Sequence, residues 1–288
     1  MLRQTRAIER AASLFFLACG TAIVGIALVI TAYLVIAGIP AIARVGLANF
    51  LFSATWTPSA DRFGILPFIL TSVWGTAGAL VLAIPVGVLT ALYLSKIAPK
   101  PVASIMRSCV ELLAGIPSVI YGLVGMILIV PTLQHLFNLS SGACLLAAIL
   151  VLSVMVLPYI ISVSLTALNA VPTQYEHASL ALGASPVETY VKVSLRAASS
   201  GVFASIIQGT GRALGEAMTI IMVAGNVAHM PGLFEPVRFM TTAITSEMSY
   251  AAYGSLHRNA LLSIGLVLFL FIVLMTTLFH ALTGKEAH

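Results

Sequence analysis

Charge is what this chain has least of. Asp, Glu, Lys and Arg make up 8% of its 288 residues, against about 25% in an ordinary soluble domain. A surface so poor in charge cannot face water over most of its length, which excludes a conventional soluble fold and points to a membrane class. The net charge of +5 comes without any long basic patch, which argues against nucleic-acid binding. Cysteine is also scarce. Cys19, Cys109 and Cys144 lie in or beside apolar runs and form no CxxC pair, so neither a disulfide framework nor a metal site is expected, and all three read as small apolar residues. Reaction motifs are missing too. No lysine completes GxxxxGK[ST], and neither HExxH nor GxSxG occurs. A chain without a P-loop is expected not to hydrolyse ATP itself, and no catalytic constellation is expected.

Hydrophobicity is abundant, at 60% of residues. A spanning helix needs about 20 mostly apolar residues, and six such stretches can be placed, at 13–37, 64–95, 110–130, 143–168, 198–228 and 259–282. The run after Arg10 carries no charge until Arg44; it is too long for a cleaved signal and reads as a retained first helix. No Asp, Glu, Lys or Arg occurs between Leu112 and Tyr175, and Pro131 to Gly142 is the natural break in that stretch. Six spans put both ends on one side. If that side is the cytoplasm, nine basic residues are inside (Arg3, Arg6, Arg10, Lys96, Lys100, Arg107, Lys192, Arg196, Lys285) and four outside (Arg44, Arg62, Arg238, Arg258). The excess favours both termini in. The chain divides into an anchor helix with an outer segment, 1–62, and a core, 63–284, whose longest inner loop covers 170–197. The outer segment after His229 reads as a loop or a short re-entrant structure.

That inner loop is punctuated like two short helices. Thr173 with Glu176, and Ser185 with Glu188, fit capping boxes. Pro186 suits a first helical position, and Gly183 suits the left-handed turn between the helices. The pattern predicts helix, glycine turn, helix: either an ordinary structured loop, or a rigid knuckle that another protein grips and that moves with the spans attached to it.

The fifth stretch carries Arg212 and Glu216 mid-span. A charge at the bilayer centre costs about 2.5–3.5 kcal/mol on insertion scales, so such groups face a partner or a watery cavity. At 100° per residue Gly201, Ser205, Gln208, Arg212, Gly215, Glu216, Thr219 and Asn226 share one stripe, opposite Phe203, Ile206, Ile207, Leu214 and Ile221. Two readings stand: an i,i+4 ion pair that locks the bundle, or the lining of a hydrophilic path. Arg suits an oxyanion path because its fixed fork of donors matches oxyanion geometry, and Glu216 would pair with Arg212 when the path is empty. Arg107 and Glu111, also i,i+4, read as a structural pair. His135, His229, His257 and His280 have no ligand spacing, and His288 is terminal.

Four segments resemble the permeases of phosphate-specific ABC importers, in particular the PstC type. They are Gly38-Ile39-Pro40 through Phe63-Gly64-Ile65-Leu66-Pro67-Phe68; Glu111-Leu112-Leu113-Ala114-Gly115-Ile116-Pro117-Ser118-Val119-Ile120-Tyr121-Gly122; Ala178-Ser179-Leu180-Ala181-Leu182-Gly183-Ala184-Ser185; and Gly211-Arg212-Ala213-Leu214-Gly215-Glu216-Ala217-Met218 through Met222-Val223-Ala224-Gly225-Asn226. The resemblance implies an all-α membrane protein with the type I ABC importer (MetI-like) permease fold. It implies a multi-pass place in a bacterial inner membrane and import of inorganic phosphate by alternating access. It further implies a PstA-like second permease, two PstB-like ATPase subunits that bind the ATP, and a periplasmic PstS-like binding protein; no cofactor is implied for this chain. Arg212 and Glu216 match the family's membrane charges, with Gln208, Ser205, Thr219 and Asn226 beside them as pathway residues. Glu176, His177, Ala178, Gly183, Ala184, Ser185 and Pro186 fall on the ATPase-coupling loop. There the chain departs from the common pattern: His177 holds the usual Glu position, Glu176 lies one residue early, and Arg196 replaces a Pro. Another oxyanion as substrate, sulfate or molybdate, and a regulatory or scaffold subunit are the competing readings.

Overall fold

The computed structural model describes residues 2–283, with side chains described for 12–279 and Ala281. Of the residues singled out above, Lys285 and His288 lie outside the described residues, as do the side chains of Arg3, Arg6, Arg10 and His280.

Among the described residues the regular structure is helical apart from one small hairpin. In order it forms α1 (Leu2–Val45), α2 (Leu47–Phe52), the strands β1 (Trp56–Thr57) and β2 (Arg62–Phe63), α3 (Leu66–Leu92), α4 (Lys100–Gly115), α5 (Ser118–Val124) and α6 (Val130–Leu136). Then come α7 (Leu145–Asn169), α8 (Thr173–Ala181), α9 (Pro186–Thr189), α10 (Leu195–Ala197), α11 (Ser199–Gly215), α12 (Met218–Val223), α13 (Met240–Glu247) and α14 (Leu256–Thr283). Wide π-type turns at Tyr93–Ile97, Gly125–Ile129 and Tyr190–Ser194 extend α3, join α5 to α6 and join α9 to α10. Among the described residues five helices are long and apolar enough to cross a membrane: Ala12–Val45, Leu66–Ile97, Ser118–Leu136, Leu145–Asn169 and Leu256–Phe279.

Two of the six expected spans differ from the sequence reading. The third starts at Ser118, not near Val110, because Ile116 precedes a proline and is driven into extended backbone (φ −70°, ψ 128°). Lys100–Gly115 is a separate amphipathic helix instead. The same span continues past Pro131 to Leu136; a proline has no N–H to satisfy, and the wide turn just before it relaxes the helix there. The fifth is not one helix. It breaks between Gly215 and Met218 into α11 and α12.

The heart of the molecule is α3 against α7, with α11 laid across them. Small residues allow this. A Cβ on Gly87 would come within 2.7 Å of Ile160, and one on Gly209 within 2.9 Å of Val156. Without a hydrophobic drive between helices in lipid, such close backbone approach supplies the packing energy. A second cluster, around Phe50, Trp56, Phe63, Phe68, Met240 and Leu261, gathers α2, the hairpin, α13 and α14. A third, around Leu92, Leu94, Leu165 and Ala198, surrounds the far ends of α3 and α7. α1 lies along α14, where the Ser263 hydroxyl donates to the Gly38 carbonyl at 2.6 Å.

Candidate functional site

Glu216 sits inside the break between α11 and α12. Its backbone is extended (φ −73°, ψ 129°), and the residue is 8% exposed. Gly215 ends α11, and the Glu216 carboxylate then accepts the Thr219 N–H at 3.0 Å at the start of α12. A buried carboxylate on an otherwise orphaned donor satisfies both groups. The Glu216 carbonyl, freed by the break, accepts the Thr241 hydroxyl from α13 at 2.7 Å. The Thr219 hydroxyl donates to the Ser118 carbonyl at 2.8 Å, tying α12 to α5. Irregular backbone at membrane depth survives only when protein re-satisfies it in this way.

Arg212 forms no ion pair with Glu216 among the described residues, so the i,i+4 pair expected from sequence is corrected. The helix ends at Gly215, and the carboxylate is held at Thr219. The guanidinium instead lies over the ring of Tyr159 in α7, 4.5 Å from its centroid. Its Nε is buried and has no hydrogen-bond partner among the described residues. An apolar cavity of about 600 Å³ runs between α3 and α11 on the Phe203 and Ile206 side of α11, away from the Arg212 stripe.

The rest of the stripe divides. Gln208 is exposed. Ser205 is fully buried and shares a 2.9 Å hydrogen bond with Ser164 of α7, so it holds two helices together. Asn226 adopts left-handed backbone (φ 57°), and its carbonyl accepts two hydrogen bonds from Arg238, at 3.0 and 2.8 Å. Arg238 in turn pairs with Glu247, which also accepts Trp56 Nε1 at 3.0 Å and meets His257 Nε2 at 2.7 Å. Asn226 therefore belongs to a polar knot beside the hairpin. Sequence reading missed Tyr159, Ser118, Thr241 and Glu247. The visible signal was a tyrosine next to Pro158 inside an uncharged span.

The loop at 170–197 is the predicted helix, glycine turn, helix. The Ser185–Glu188 capping box is complete, with Glu188 N donating to Ser185 Oγ at 3.3 Å and Ser185 N to Glu188 at 3.2 Å. Gly183 has φ 88°. The Thr173–Glu176 box does not form: Pro172 is the cap, and no side chain caps α8. Glu176 turns inward, where Lys96 pairs with it at 2.6 Å and Ser194 donates to it at 2.9 Å. Burial pushes the Glu176 carboxyl up, but the hydrogen bonds from Lys96 and Ser194 and the Lys96 charge outweigh this and hold it below the usual range. His177 and Ala178 are exposed, as are Gly183, Ser185 and Pro186, while Ala184 is half-buried. Leu182 at the tip is 90% exposed. Arg107 and Glu111, expected to pair, are both exposed and form no ion pair among the described residues; in water the entropy of two long side chains offsets so weak an attraction.

A charged break between two helices and a helix–turn–helix loop with an exposed apolar tip, set among long apolar helices, point to a membrane transport component. The family described as binding-protein-dependent transport system inner membrane component matches residues 83–285, and the chain belongs to it. Within that family it is a PstC-type permease. It is 36% identical over 283 residues to the probable ABC transporter permease protein YqgH of Bacillus subtilis, covering 95% of this chain and 92% of that one. It is 33% identical over 274 residues to the phosphate transport system permease protein PstC of Haemophilus influenzae, covering 88% and 85%. A chain of the MetNI methionine ABC transporter in inward facing conformations superimposes with a TM-score of 0.53 at 22% identity, covering 77% of this chain and 92% of that one; that likeness concerns the fold, which is the type I importer permease fold.

Proposed function

We propose that this chain is the phosphate-conducting permease subunit of an ATP-driven importer, and that Arg212 is the group that meets the anion. One observation carries this reading. A guanidinium stands beside the break between α11 and α12, over the Tyr159 ring, with no carboxylate bound to it among the described residues. Its Nε donates to no group among the described residues, and the planar fork of donors is suited to oxyanion oxygens once a path opens beside it. The PstC names of relatives over most of the chain support phosphate as that oxyanion. Glu216 and Thr219 shape the break, Gln208 lies one turn before Arg212 on the same face, and Ser205 and Asn226 brace the two ends of the stripe.

In this reading the chain pairs with a PstA-like permease, receives phosphate from a PstS-like binding protein, and is driven by two PstB-like ATPase subunits that hold the ATP. The ATPase grips the knuckle through His177, Ala178, Gly183, Ala184, Ser185 and Pro186, while Glu176 holds the knuckle from within through Lys96. Both termini and the knuckle face the cytoplasm. Alternating access follows when nucleotide binding favours one state of the permease pair over the other.

The test is phosphate uptake by vesicles holding the complete complex with Arg212→Gln. Loss of one charge-assisted contact predicts uptake reduced by about 10- to 100-fold at limiting phosphate, with the subunit still present in the membrane. Undiminished uptake removes the reading. Competition by sulfate and molybdate at equal concentration separates phosphate from the other oxyanions.

A further inference from the structure

We infer that Tyr159 is a positioning residue for transport, supplying an aromatic counter-face that holds the Arg212 guanidinium without consuming its hydrogen-bond donors. The inference rests on the reading that Arg212 meets the anion, and extends it to a residue with no charge and no stripe position.

A guanidinium inside a membrane protein needs compensation. A carboxylate would supply it bidentately and occupy the same donors that an oxyanion requires. Here the nearby carboxylate is committed elsewhere, to the Thr219 N–H at 3.0 Å. The compensation comes from the Tyr159 ring, whose face attracts the cation while leaving the guanidinium edge free. The buried, unbonded Nε is consistent with a group kept for another partner.

The ring is itself held. Its hydroxyl donates to the Ala114 carbonyl at 3.3 Å, and the neighbouring Leu113 carbonyl accepts the Tyr121 hydroxyl at 2.7 Å. Both carbonyls belong to the last turn of α4, where helical partners run out; that of Leu113 also accepts the Ile116 N–H at 3.2 Å. The orientation of the ring is thus set by α4 and α7 together, and the guanidinium inherits it. Without the ring Arg212 would be free to swing toward Glu216, and its donors would be taken.

The experiment measures phosphate uptake kinetics in the complete complex, with position 159 changed to Phe and then to mono-, di- and trifluorinated phenylalanines of nearly the same shape. Fluorination removes the negative face of the ring while keeping its volume. Tyr159→Phe, which loses the hydrogen bond to Ala114 but keeps the ring face, is expected to raise KM by about two- to tenfold, and is the reference from which the fluorinated series is read. KM should then rise stepwise with fluorine number, to about tenfold above that reference for the trifluorinated ring, at nearly constant Vmax. A flat KM across the series overturns the inference, and so does a fall in Vmax alone, which would mark a packing role. The outcomes for Arg212→Gln are separate. Normal uptake by that variant overturns the functional reading; impaired uptake with a flat fluorine series overturns only the role of Tyr159.

Discussion

Arg212 and Glu216 show how far a residue type constrains its surroundings. Their cost in hydrocarbon required a polar environment, and the structure provides one, but not by pairing them. Each found a different partner because the helix between them ends. Glycine plays the complementary part. Gly122 on α5 faces α12 so closely that a Cβ would lie 2.9 Å from Met222 Sδ and 3.0 Å from Thr219 Cα. Gly122→Val is therefore expected to force α5 from α12, costing about 1–3 kcal/mol by overpacking. The expected result is a lower thermal midpoint of the detergent-solubilised protein and weakened uptake; an unchanged midpoint would mean that the contact yields freely. Ser205 and Asn226 were legible as polar positions on a stripe, yet one serves a helix–helix hydrogen bond and the other a left-handed turn. Neither role is visible without knowing which helix lies opposite.

At the scale of elements, the knuckle was legible because its signals are local. A capping box, a proline at the first helical position and a glycine at a positive φ all act within a few residues. The false box at Thr173 failed for a distant reason: Lys96, at the end of the second span, draws Glu176 inward. This pair makes the loop pH-sensitive in a definite direction. The folded carboxyl titrates below its unfolded value, so the stabilisation is complete above the unfolded value near 4.3, and is lost as pH falls through the folded value. Hydrogen exchange in 173–197 should stay slow, after correction for intrinsic pH effects, down to about pH 4, and quicken below it. Glu176→Gln should show the quicker exchange already at neutral pH. Equal protection in both proteins would disconnect the ion pair from knuckle rigidity. The third span illustrates the converse, since hydropathy alone could not divide α4 from α5; the Ile116–Pro117 backbone did.

For the whole molecule, the basic residues make the strongest prediction. Reporter fusions that are active only in the cytoplasm should work at the knuckle and fail in the segment between His229 and Glu235, while the N-terminus reports from the knuckle's side. Fusions reporting the opposite sides would invert the proposed topology. α1 bears on the question of assembly: in its most apolar window only 6% of residues are buried within this chain, while its main contact is with α14. Membrane identity and the class of transporter were legible, because they depend on composition and on long runs that tolerate local error; the count was not, since six stretches were placed and five helices among the described residues are long and apolar enough to cross.

Sequence alone determined that the protein lives in a bilayer, where its helices are punctuated at the knuckle, and that charge is placed deliberately in the fifth crossing. These follow from solvation and from short-range backbone rules, both of which act on neighbours in the chain. Only the tertiary structure decided that the fifth crossing is broken, that Glu216 closes the break, and that Arg212 rests on Tyr159, 53 positions earlier in the chain. A helical wheel assumes a continuous helix and sees one helix at a time. The partners of a buried charge are chosen by whichever donors, acceptors and ring faces the packing of other helices brings within reach.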